Sequence, residues 1–362
     1  MLGMGAGEIR VQPVVIAQQG VKQMFALVQQ LLFRRRAVHQ TGEVCQELMQ
    51  ASGVDGWSSG HFEAGSKTVA IVSQDMLGVH MSTVTNSSFV MAGVMGWPIS
   101  HSRSPIIHGH WISQHGLRGT YLPLPVNPVR LSEALTGLSA LGFAGCNLTL
   151  PHKVQALDCI SDLDPVARQI GAVNTVVVQA DGSLRGTNTD AFGYLQSLRE
   201  GQPTWQAQAG PAVVLGAGGA ARAVVWALAE AGVSEIRLLN RSLDKAQAMA
   251  AEFGSPVKAW DWSQRHEALA DAALLVNTTT QGMQGQPPLD IQLDALPLHA
   301  VVSDIVYTPL ETDLLLRAKA RGNPIVGGLG MLLHQARPGF AAWFGVMPEV
   351  TPALWQAVLK TF

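Results

Sequence analysis

A glycine-rich turn between an apolar run and a helical pattern is the feature that most constrains how this chain can fold. The apolar run covers 212–215, and apolar residues at helical spacing continue over 219–231. Gly216 permits a tight turn, Gly218 lets the backbone approach a pyrophosphate, and the small Ala221 allows close helix–strand packing. Free amide groups at the start of the helix attract phosphate. The pattern predicts a dinucleotide-binding site. The alternative interpretation is a tight strand–helix turn that binds no ligand. The predicted loop consists of Gly216, Ala217, Gly218, Gly219 and Ala220.

The residues at the end of the next predicted strand indicate which dinucleotide binds. Sites for NAD usually place Asp or Glu there to hold the ribose hydroxyls. This chain has Asn240, Arg241 and Ser242 at that point, with Lys245 one helical turn later. A guanidinium binds phosphate whereas a carboxylate repels it, so the pattern favours the 2′-phosphate of NADP. The alternative is an ordinary surface arginine beside a serine that caps the next helix.

Apolar runs alternate with helical patterns from Phe89 to the end of the chain. Predicted strands are 90–96, 121–125, 143–150, 172–178, 212–215, 235–239, 273–277, 300–306 and 324–326. Predicted helices are 105–116, 128–141, 152–159, 219–231, 244–253, 329–342 and 352–359. This alternation is typical of mostly parallel sheets covered by helices. We therefore expect an α/β fold of two units, with a seam at 201–203 and 210–211.

Composition excludes several other classes of protein. Lys plus Arg number 24 and Asp plus Glu 26, whereas nucleic-acid-binding proteins usually carry a basic excess. The three cysteines are too few for a disulfide scaffold, and no segment has the continuous apolar character of a membrane span. Nor does the start of the chain have the pattern of a secretory signal. We expect a cytoplasmic protein with no nucleic-acid or membrane partner.

Residues 1–88 differ from the rest of the chain. They carry one amphipathic pattern and three consecutive arginines at 34–36, but no set of residues arranged for catalysis. We expect an N-terminal extension of unknown role that is poorly ordered.

Three polar clusters follow predicted strands, at the edge where α/β sheets bind ligands. The first contains Ser102 and Ser104, and Ser104 stands before a proline as an N-cap would. The second contains Thr149 and Lys153, and the third contains Asp190. A lysine at the positive end of a short helix loses its proton more readily, which suits proton transfer. Taken singly, Asp190 fits a helix N-cap equally well.

Short motifs follow one another along the chain. They are GWPISHSRSP (96–105), NLTLPHK (147–153), GAVNT (171–175), NTD (188–190), GAGGAA (216–221), NRS (240–242), NTTTQGM (277–283), DIVYTP (304–309) and GGLGMLLHQA (327–336). As an ordered set they resemble the shikimate dehydrogenase family. The resemblance runs from about Phe89 to the end of the chain and leaves out residues 1–88.

The resemblance implies a fold and a reaction. A substrate-binding α/β domain is expected at 89–190 plus 327–362, so that the C-terminal helices return to it, and a Rossmann-like NADP-binding domain at 191–326. The expected reaction is the reversible reduction of 3-dehydroshikimate to shikimate by NADPH, in aromatic amino acid biosynthesis. No metal is expected, because a lysine ammonium can polarise the ketone. The expected assembly is a monomer or a homodimer.

The resemblance also assigns roles to residues. Ser102 and Ser104 are expected to bind the substrate carboxylate. Lys153 and Asp190 are expected to form the proton-transfer pair, in which the ammonium stabilises the developing alkoxide and the carboxylate orients it. Further substrate contacts are expected from Thr149, Asn174, Gln335 and Tyr307. Further cofactor contacts are expected from Thr278, Ile305, Gly328 and Met331.

Two other functions stay open. One is the sister activity, a quinate/shikimate dehydrogenase that prefers NAD, which is disfavoured by Arg241 with no acidic residue at position 240. The other is a non-catalytic NADP-binding regulatory module, which is disfavoured because both Lys153 and Asp190 are present.

Overall fold

The structure is a computed structural model that describes residues 89–362. The predicted extension at 1–88 lies outside the described residues. Within 89–362 the chain forms two six-stranded sheets with helices packed against them. The predicted two-unit α/β fold is therefore confirmed.

The first sheet has the strand order β2-β1-β3-β5-β6-β4. Its strands are β1 (Val90–Gly96), β2 (Gly119–Pro125), β3 (Phe143–Leu148), β4 (Asp162–Leu163), β5 (Thr175–Val178) and β6 (Leu184–Thr187). β1 pairs in parallel with β2 and β3, whereas β5 runs antiparallel to both β3 and β6. The ends of β3 and β6 are therefore both paired with the start of β5, next to Asn174.

Four helices follow in this part of the chain. They are α1 (Ser104–Gln114), α2 (Leu131–Ala140), α3 (His152–Gln155) and α4 (Pro165–Ile170). Ser104, expected as the N-cap of α1, is instead the first residue of the helix, and Arg103 occupies the N-cap position. In α4, the Asp164 carboxylate accepts a hydrogen bond from the Ala167 amide, and a proline follows at the first helical position, which favours this start.

The second sheet is entirely parallel, with the order β12-β11-β10-β7-β8-β9. Its strands are β7 (Ala212–Leu215), β8 (Ile236–Leu239), β9 (Val257–Trp260), β10 (Leu274–Asn277), β11 (Val301–Asp304) and β12 (Ile325–Val326). The central strands are apolar at almost every position because helices cover both faces of a parallel sheet. This strand order is that of a doubly wound dinucleotide-binding fold, whose ligand crevice lies where the order reverses, beside β7.

Six helices complete the described chain. They are α5 (Asp190–Gly201), α6 (Gly219–Glu230), α7 (Leu243–Phe253), α8 (Asp313–Arg321), α9 (Gly328–Phe344) and α10 (Pro352–Leu359). α9 and α10 share one apolar core with β1 and α1, through buried residues such as Phe340, Leu354 and Trp111. The Trp343 indole also donates a hydrogen bond of 3.0 Å to the Val176 carbonyl of β5. The last two helices therefore pack on the first sheet, as expected.

Most of the helices and strands that the sequence did not predict are short. β4, α4, β6, β9 and α8 were not predicted, because two to nine residues give too little periodicity to separate them from loops. The strands expected at 143–150 and 300–306 end earlier, at Leu148 and Asp304. The residues released by this early ending form the loops of the candidate site. Short 3₁₀ turns occur at Pro128–Arg130, Ala156–Asp158, Ala207–Ala209, Trp262–Gln264 and Glu267–Leu269.

Across residues 89–362, none of the helices combines the length and the apolar character needed to cross a membrane.

Candidate functional site

An ion pair between Lys153 and Asp190 lies at the centre of the candidate site. The Lys153 Nζ atom is 2.6 Å from Asp190 Oδ2, and the two side chains are 16% and 4% exposed. Lys153 belongs to the one-turn helix α3, and Asp190 is the first residue of α5. Asp190 is thus not the N-cap of α5. Thr189 is the N-cap residue, and its side chain makes no hydrogen bond to the helix.

Asn174 fixes the carboxylate of this pair. Its Nδ2 atom donates to Asp190 Oδ1 at 2.8 Å, and its Oδ1 atom accepts from the Thr189 amide at 2.8 Å. Asn174 is buried, and its backbone bonds to Leu148 at the end of β3 and to Thr187 at the end of β6. The hairpin geometry therefore holds the residue on both sides, and the second carboxylate oxygen of Asp190 is left for Lys153.

Gln335 reaches the same group of side chains from α9. Its Oε1 atom lies 3.4 Å from Asn174 Nδ2, and its carbonyl accepts from the Thr189 hydroxyl at 2.8 Å. The approach depends on Gly193 of α5, because a Cβ atom there would lie 2.5 Å from the Gln335 Cβ atom. A glycine is needed at this helix crossing so that Gln335 can lie beside Asn174.

A buried chain of hydrogen bonds leads from this group toward the predicted carboxylate-binding serines. Thr175 Oγ1 donates to Asn174 Oδ1 at 2.9 Å, Asn147 Nδ2 donates to Thr175 Oγ1 at 3.0 Å, and the Tyr121 hydroxyl donates to Asn147 Oδ1 at 2.6 Å. Burial raises the pKa of Tyr121 well above its usual value, and the Ser104 side chain partly offsets this rise. The chain therefore connects the Ser104 end of the site with Asp190.

Ser102, Ser104 and Thr149 lie in neighbouring loops after β1 and β3. The Ser104 amide donates to Ser102 Oγ at 3.3 Å, and the Thr149 amide donates to the Met95 carbonyl at 2.9 Å. Ser104 is buried, while Ser102 and Thr149 are half-buried. These amide bonds hold the backbone that carries the three residues next to the ends of β1 and β3.

Tyr307 approaches from the second sheet. It follows β11, is half-buried, and packs against the apolar core formed by β1, α1 and α9. Burial raises the pKa of its hydroxyl, and the positive charge of Arg103 partly offsets the rise. Tyr307 thus contacts the half of the molecule that carries the predicted substrate residues.

The glycine loop between β7 and α6 fits a bound pyrophosphate. Gly216 has a φ of +110°, and a Cβ atom there would lie 2.7 Å from Thr278 Oγ1, so only glycine fits without strain. Thr278 uses that hydroxyl to donate to the Leu215 carbonyl at 2.6 Å. Gly218, at the N-cap of α6, has open space where its Cβ atom would be and no capping side chain. The first amides of α6 are therefore free to bind phosphate.

The glycine loop also contacts the ion pair. A Cβ atom built on Gly219 would lie 3.4 Å from Lys153 Cβ and 3.7 Å from Lys153 Cδ. The Lys153 stem therefore lies beside the first residue of α6. The predicted dinucleotide site and the predicted proton-transfer pair meet at this point.

The residues after β8 are arranged as a phosphate site would require. Arg241, Ser242 and Lys245 are exposed, and no hydrogen bond or ion pair engages the Arg241 side chain within residues 89–362. Ser242 occupies the N-cap position of α7 but makes no capping bond, so its hydroxyl is free. Asn240 Nδ2 donates to the Ser242 carbonyl at 2.9 Å and braces this turn. Ser242 thus does not cap α7, whereas an exposed Arg241 without a partner in residues 89–362 fits both a phosphate site and an ordinary surface arginine.

The remaining predicted cofactor residues line the junction of β11 and α9. A Cβ atom on Gly328 would lie 2.2 Å from the Ile305 carbonyl oxygen, so these two segments touch closely. Met331 is buried in the core shared by α5, α6 and the second sheet. Gly328 and Ile305 thus border the crevice, whereas Met331 packs mainly inside.

Sequence reasoning missed some residues that shape the site. Arg222 of α6 donates to the Ile170 carbonyl, pairs with Glu252, and lines a cleft of about 230 Å³ together with Gly218 and Lys245. The hydrogen-bonded side chains of Tyr121, Asn147 and Thr175 were also missed. Their polar character was visible in the sequence, but their mutual contacts depend on the pairing of β1 with β2 and β3 and of β3 with β5.

The described residues contain no group of three or more His, Cys, Asp or Glu side chains that could hold a metal ion.

Comparisons with known proteins agree with this arrangement. Residues 94–176 match the family model described as the shikimate dehydrogenase substrate binding domain, and residues 202–284 match the model described as shikimate / quinate 5-dehydrogenase. The NADP(+)-dependent shikimate dehydrogenase of Paramagnetospirillum magneticum is 60% identical over 270 residues, which cover 75% of this chain and 98% of that protein.

Two solved structures show the same likeness. Shikimate 5-dehydrogenase from Thermus thermophilus, in complex with NADP(H) and shikimate, is 37% identical with a TM-score of 0.68, over 76% of this chain and 100% of that one. Quinate dehydrogenase from Corynebacterium glutamicum, in complex with NAD, is 31% identical with a TM-score of 0.70, over 75% of this chain and 99% of that one.

Proposed function

This chain belongs to the shikimate dehydrogenase family of oxidoreductases, as its motifs indicated, and we propose that it catalyses the reversible reduction of 3-dehydroshikimate to shikimate with NADPH. The observation that supports this most directly is the buried Lys153–Asp190 ion pair, 2.6 Å long, beside the first residue of the helix that follows the glycine loop.

The chemistry is divided between the cofactor and the side chains of this chain. When bound, NADPH supplies the hydride that reduces the ketone carbon. The Lys153 ammonium stabilises the negative charge that develops on the ketone oxygen and donates the proton that completes the alcohol. Asp190 holds that ammonium in place, and Asn174 holds Asp190. In the reverse direction the same lysine receives the proton.

The other substrate residues orient the ring. Ser102 and Ser104 bind the substrate carboxylate, while Thr149, Asn174, Gln335 and Tyr307 contact the hydroxyl groups. This assignment is supported by Ser102, Ser104 and Thr149, which follow β1 and β3 of the first sheet, and by the contact of Gln335 with Asn174. Fixing the ring in this way holds the ketone carbon for hydride transfer, which is where positioning lowers the barrier.

The cofactor is held by two sets of groups. The backbone of Gly216, Ala217, Gly218, Gly219 and Ala220 and the free amides of α6 bind the pyrophosphate. Asn240, Arg241, Ser242 and Lys245 bind the 2′-phosphate, and the guanidinium of Arg241, unpaired within residues 89–362, supports NADP rather than NAD. Thr278, Ile305 and Gly328 border the nicotinamide side, whereas Met331, which was expected there too, is buried in the core.

Boundaries and partners follow from the same proposal. We place the substrate domain at 89–190 plus 327–362 and the cofactor domain at 191–326. The protein acts in the cytoplasm as a monomer or a homodimer, without nucleic acid, and the near balance of 24 basic and 26 acidic residues supports the last point. The molar mass measured by light scattering after size-exclusion chromatography distinguishes the monomer from the homodimer.

The test is a two-by-two grid of initial rates with shikimate or quinate and NADP or NAD. We expect shikimate with NADP to exceed the other three pairs by orders of magnitude in kcat/KM. Equal rates with quinate or NAD would indicate the sister activity instead. Four silent pairs with NADP still bound would indicate a regulatory module that lacks the chemistry.

A further inference from the structure

One aromatic ring touches loops from both halves of the molecule. The Phe362 ring lies at right angles to that of Tyr307, with centroids 6.4 Å apart, and the Arg103 guanidinium carbon lies 5.0 Å from the Phe362 centroid. Arg103 stands between Ser102 and Ser104 before α1, while Tyr307 follows β11 of the second sheet. We call Phe362, Arg103 and Tyr307 the Phe362 cluster.

Arg103 depends on this ring because it has few other partners. Its Nε atom is buried without a hydrogen-bond acceptor, and no carboxylate pairs with it among residues 89–362. A guanidinium over an aromatic face is attracted by the ring quadrupole, and the attraction strengthens when water is excluded. The lowering effect of Arg103 on the Tyr307 pKa shows that its charge is also felt at that hydroxyl.

The position of Arg103 determines the position of its neighbours. Arg103 is the N-cap residue of α1, and the Ser104 amide that follows it donates to Ser102 Oγ at 3.3 Å. The Arg103 side chain is therefore attached to the backbone segment that carries both serines. On the other side, Tyr307 packs against the core of β1, α1 and α9, which closes the second sheet onto the first.

Phe362 is itself 44% exposed. It lines an open cleft of about 680 Å³ formed with residues of the 282–288 and 308–316 segments. A smaller side chain at 362 would remove the ring from Arg103 and leave the guanidinium in contact with more water.

We propose that Phe362 is a positioning residue that holds the Ser102–Ser104 loop and Tyr307 together and thereby sets the affinity for the substrate carboxylate. It acts through Arg103 and takes no part in hydride or proton transfer. The inference rests on the proposed function, because it assumes that Ser102 and Ser104 bind the substrate.

The test replaces Phe362 in the full chain and measures steady-state kinetics with shikimate and NADP. In Phe362→Ala and Phe362→Leu we expect the KM for shikimate to rise by about three- to thirtyfold, the range of one cation–π contact. The kcat and the KM for NADP should stay within about twofold of wild type. Phe362→Trp, which keeps an aromatic face, should restore the KM.

Trp262→Leu is the matched control. Trp262 also has an arginine over its ring, with Arg265 at 5.5 Å, but it follows β9 at the far edge of the second sheet. This variant loses a comparable contact and should leave both KM values unchanged. A rise in the shikimate KM of Trp262→Leu equal to that of Phe362→Leu would overturn the assignment, because general loosening would then explain both.

A double-mutant cycle tests whether Phe362 acts through Arg103. In an Arg103→Met background, Phe362→Ala should change the shikimate KM by less than about twofold, because the contact is already lost. Independent, multiplying effects would overturn the proposal, as would a wild-type KM in Phe362→Ala alone. If the wild-type protein itself fails to turn over shikimate, the proposed function fails and the inference with it, so the two failures are distinguishable.

Discussion

Beside the first sheet, Asp190 and Asn174 are buried and hydrogen-bonded to each other. After β8 of the second sheet, by contrast, Arg241 and Ser242 are exposed, and their side chains have no partner within residues 89–362. The contacts of the buried groups inside the protein offset their desolvation, so their geometry exists before substrate arrives. The exposed groups gain their contacts only from a ligand. On the proposed assignment, the geometry for proton transfer is preorganised, whereas the choice of cofactor depends on side chains that make no contact within residues 89–362.

The first prediction tests the preorganised side where the effect is largest. In Lys153→Ala we expect kcat to fall by at least about 100-fold, because a positioned proton donor is lost. Thermal unfolding should stay cooperative, since Lys153 lies on a one-turn helix at the edge of the crevice. Lys258→Ala, which removes an exposed lysine paired with Glu235, is the control and should keep wild-type kcat. Wild-type turnover in Lys153→Ala would exclude Lys153 from the mechanism.

The second prediction tests the exposed side. Arg241→Glu should raise the KM for NADP by about ten- to a hundredfold, the range of one charge-assisted hydrogen bond, and should change the KM for NAD far less. The unfolding temperature should not change, because Arg241 has no partner to lose within residues 89–362. Arg185→Glu reverses a charge on the first sheet and is the control. Equal losses for NADP and NAD would contradict the 2′-phosphate assignment.

The third prediction concerns stability. Its failure would contradict the contrast between the buried, hydrogen-bonded residues and the exposed ones. Asn174→Ala leaves Asp190 Oδ1 and the Thr189 amide without their partner in a buried place. We expect the free energy of unfolding to fall by about 2 kcal/mol, and kcat with it. Urea denaturation measures the first quantity and initial rates the second. A stable Asn174→Ala protein with reduced kcat would mean that the hydrogen bonds serve only the reaction.

The fourth prediction concerns pH and has the smallest expected effect near neutral pH. His108 of α1 is buried, stacks on Tyr121 with ring centroids 3.9 Å apart, and has its pKa lowered by desolvation to about 3. Between about pH 3 and 6.5 the unfolded chain binds a proton at this residue and the folded chain does not. Stability should therefore fall by up to about 1.4 kcal/mol for each pH unit below the unfolded pKa on account of this group.

His108→Phe should flatten the acid dependence that His108 causes while keeping the stacked ring.

Asp304 provides the opposite case, because burial raises its pKa to about 6 despite hydrogen bonds from Thr312, Val306 and Asn277. The contribution of Asp304 to the free energy of unfolding is full at low pH. It is lost as the pH rises from the pKa of Asp304 in the unfolded chain, 3.8, through its pKa in the folded chain, about 6. Between about pH 4 and 6 the two contributions oppose each other, so the difference between the wild-type and His108→Phe unfolding curves isolates His108, and an unchanged slope in His108→Phe would contradict the assignment.

The sequence was sufficient where a requirement is local. The loop at Gly216 was predictable because its positive φ and the space beside Gly218 leave a pattern of small residues. The long apolar runs of the second sheet were predictable for the same reason. The ends of β3 and β11 were not, because the early release of Thr149 and Ile305 from the strands depends on their neighbours.

Contacts between distant segments required either a family resemblance or the structure. Lys153 and Asp190 are far apart in the chain, and only the ordered motifs indicated that they form a pair. No motif indicated that Tyr121 would bond to Asn147 or that Phe362 would lie over Arg103. The first contact arises because β2 and β3 both pair with β1, and the second arises from the return of the C-terminal helices to the first sheet; local periodicity encodes neither.

The contact between Gly219 and the Lys153 stem has a consequence for how such an enzyme can change during evolution. A methyl group at 219 would already lie at van der Waals distance from the lysine, so any longer side chain there would press on the proton donor. The turn that carries Arg241 and Ser242 has no such restriction, since both residues are exposed after β8. On the proposed assignment, a lineage that acquires a new cofactor preference is therefore free to vary this turn, while the start of α6 is restricted by its contact with Lys153.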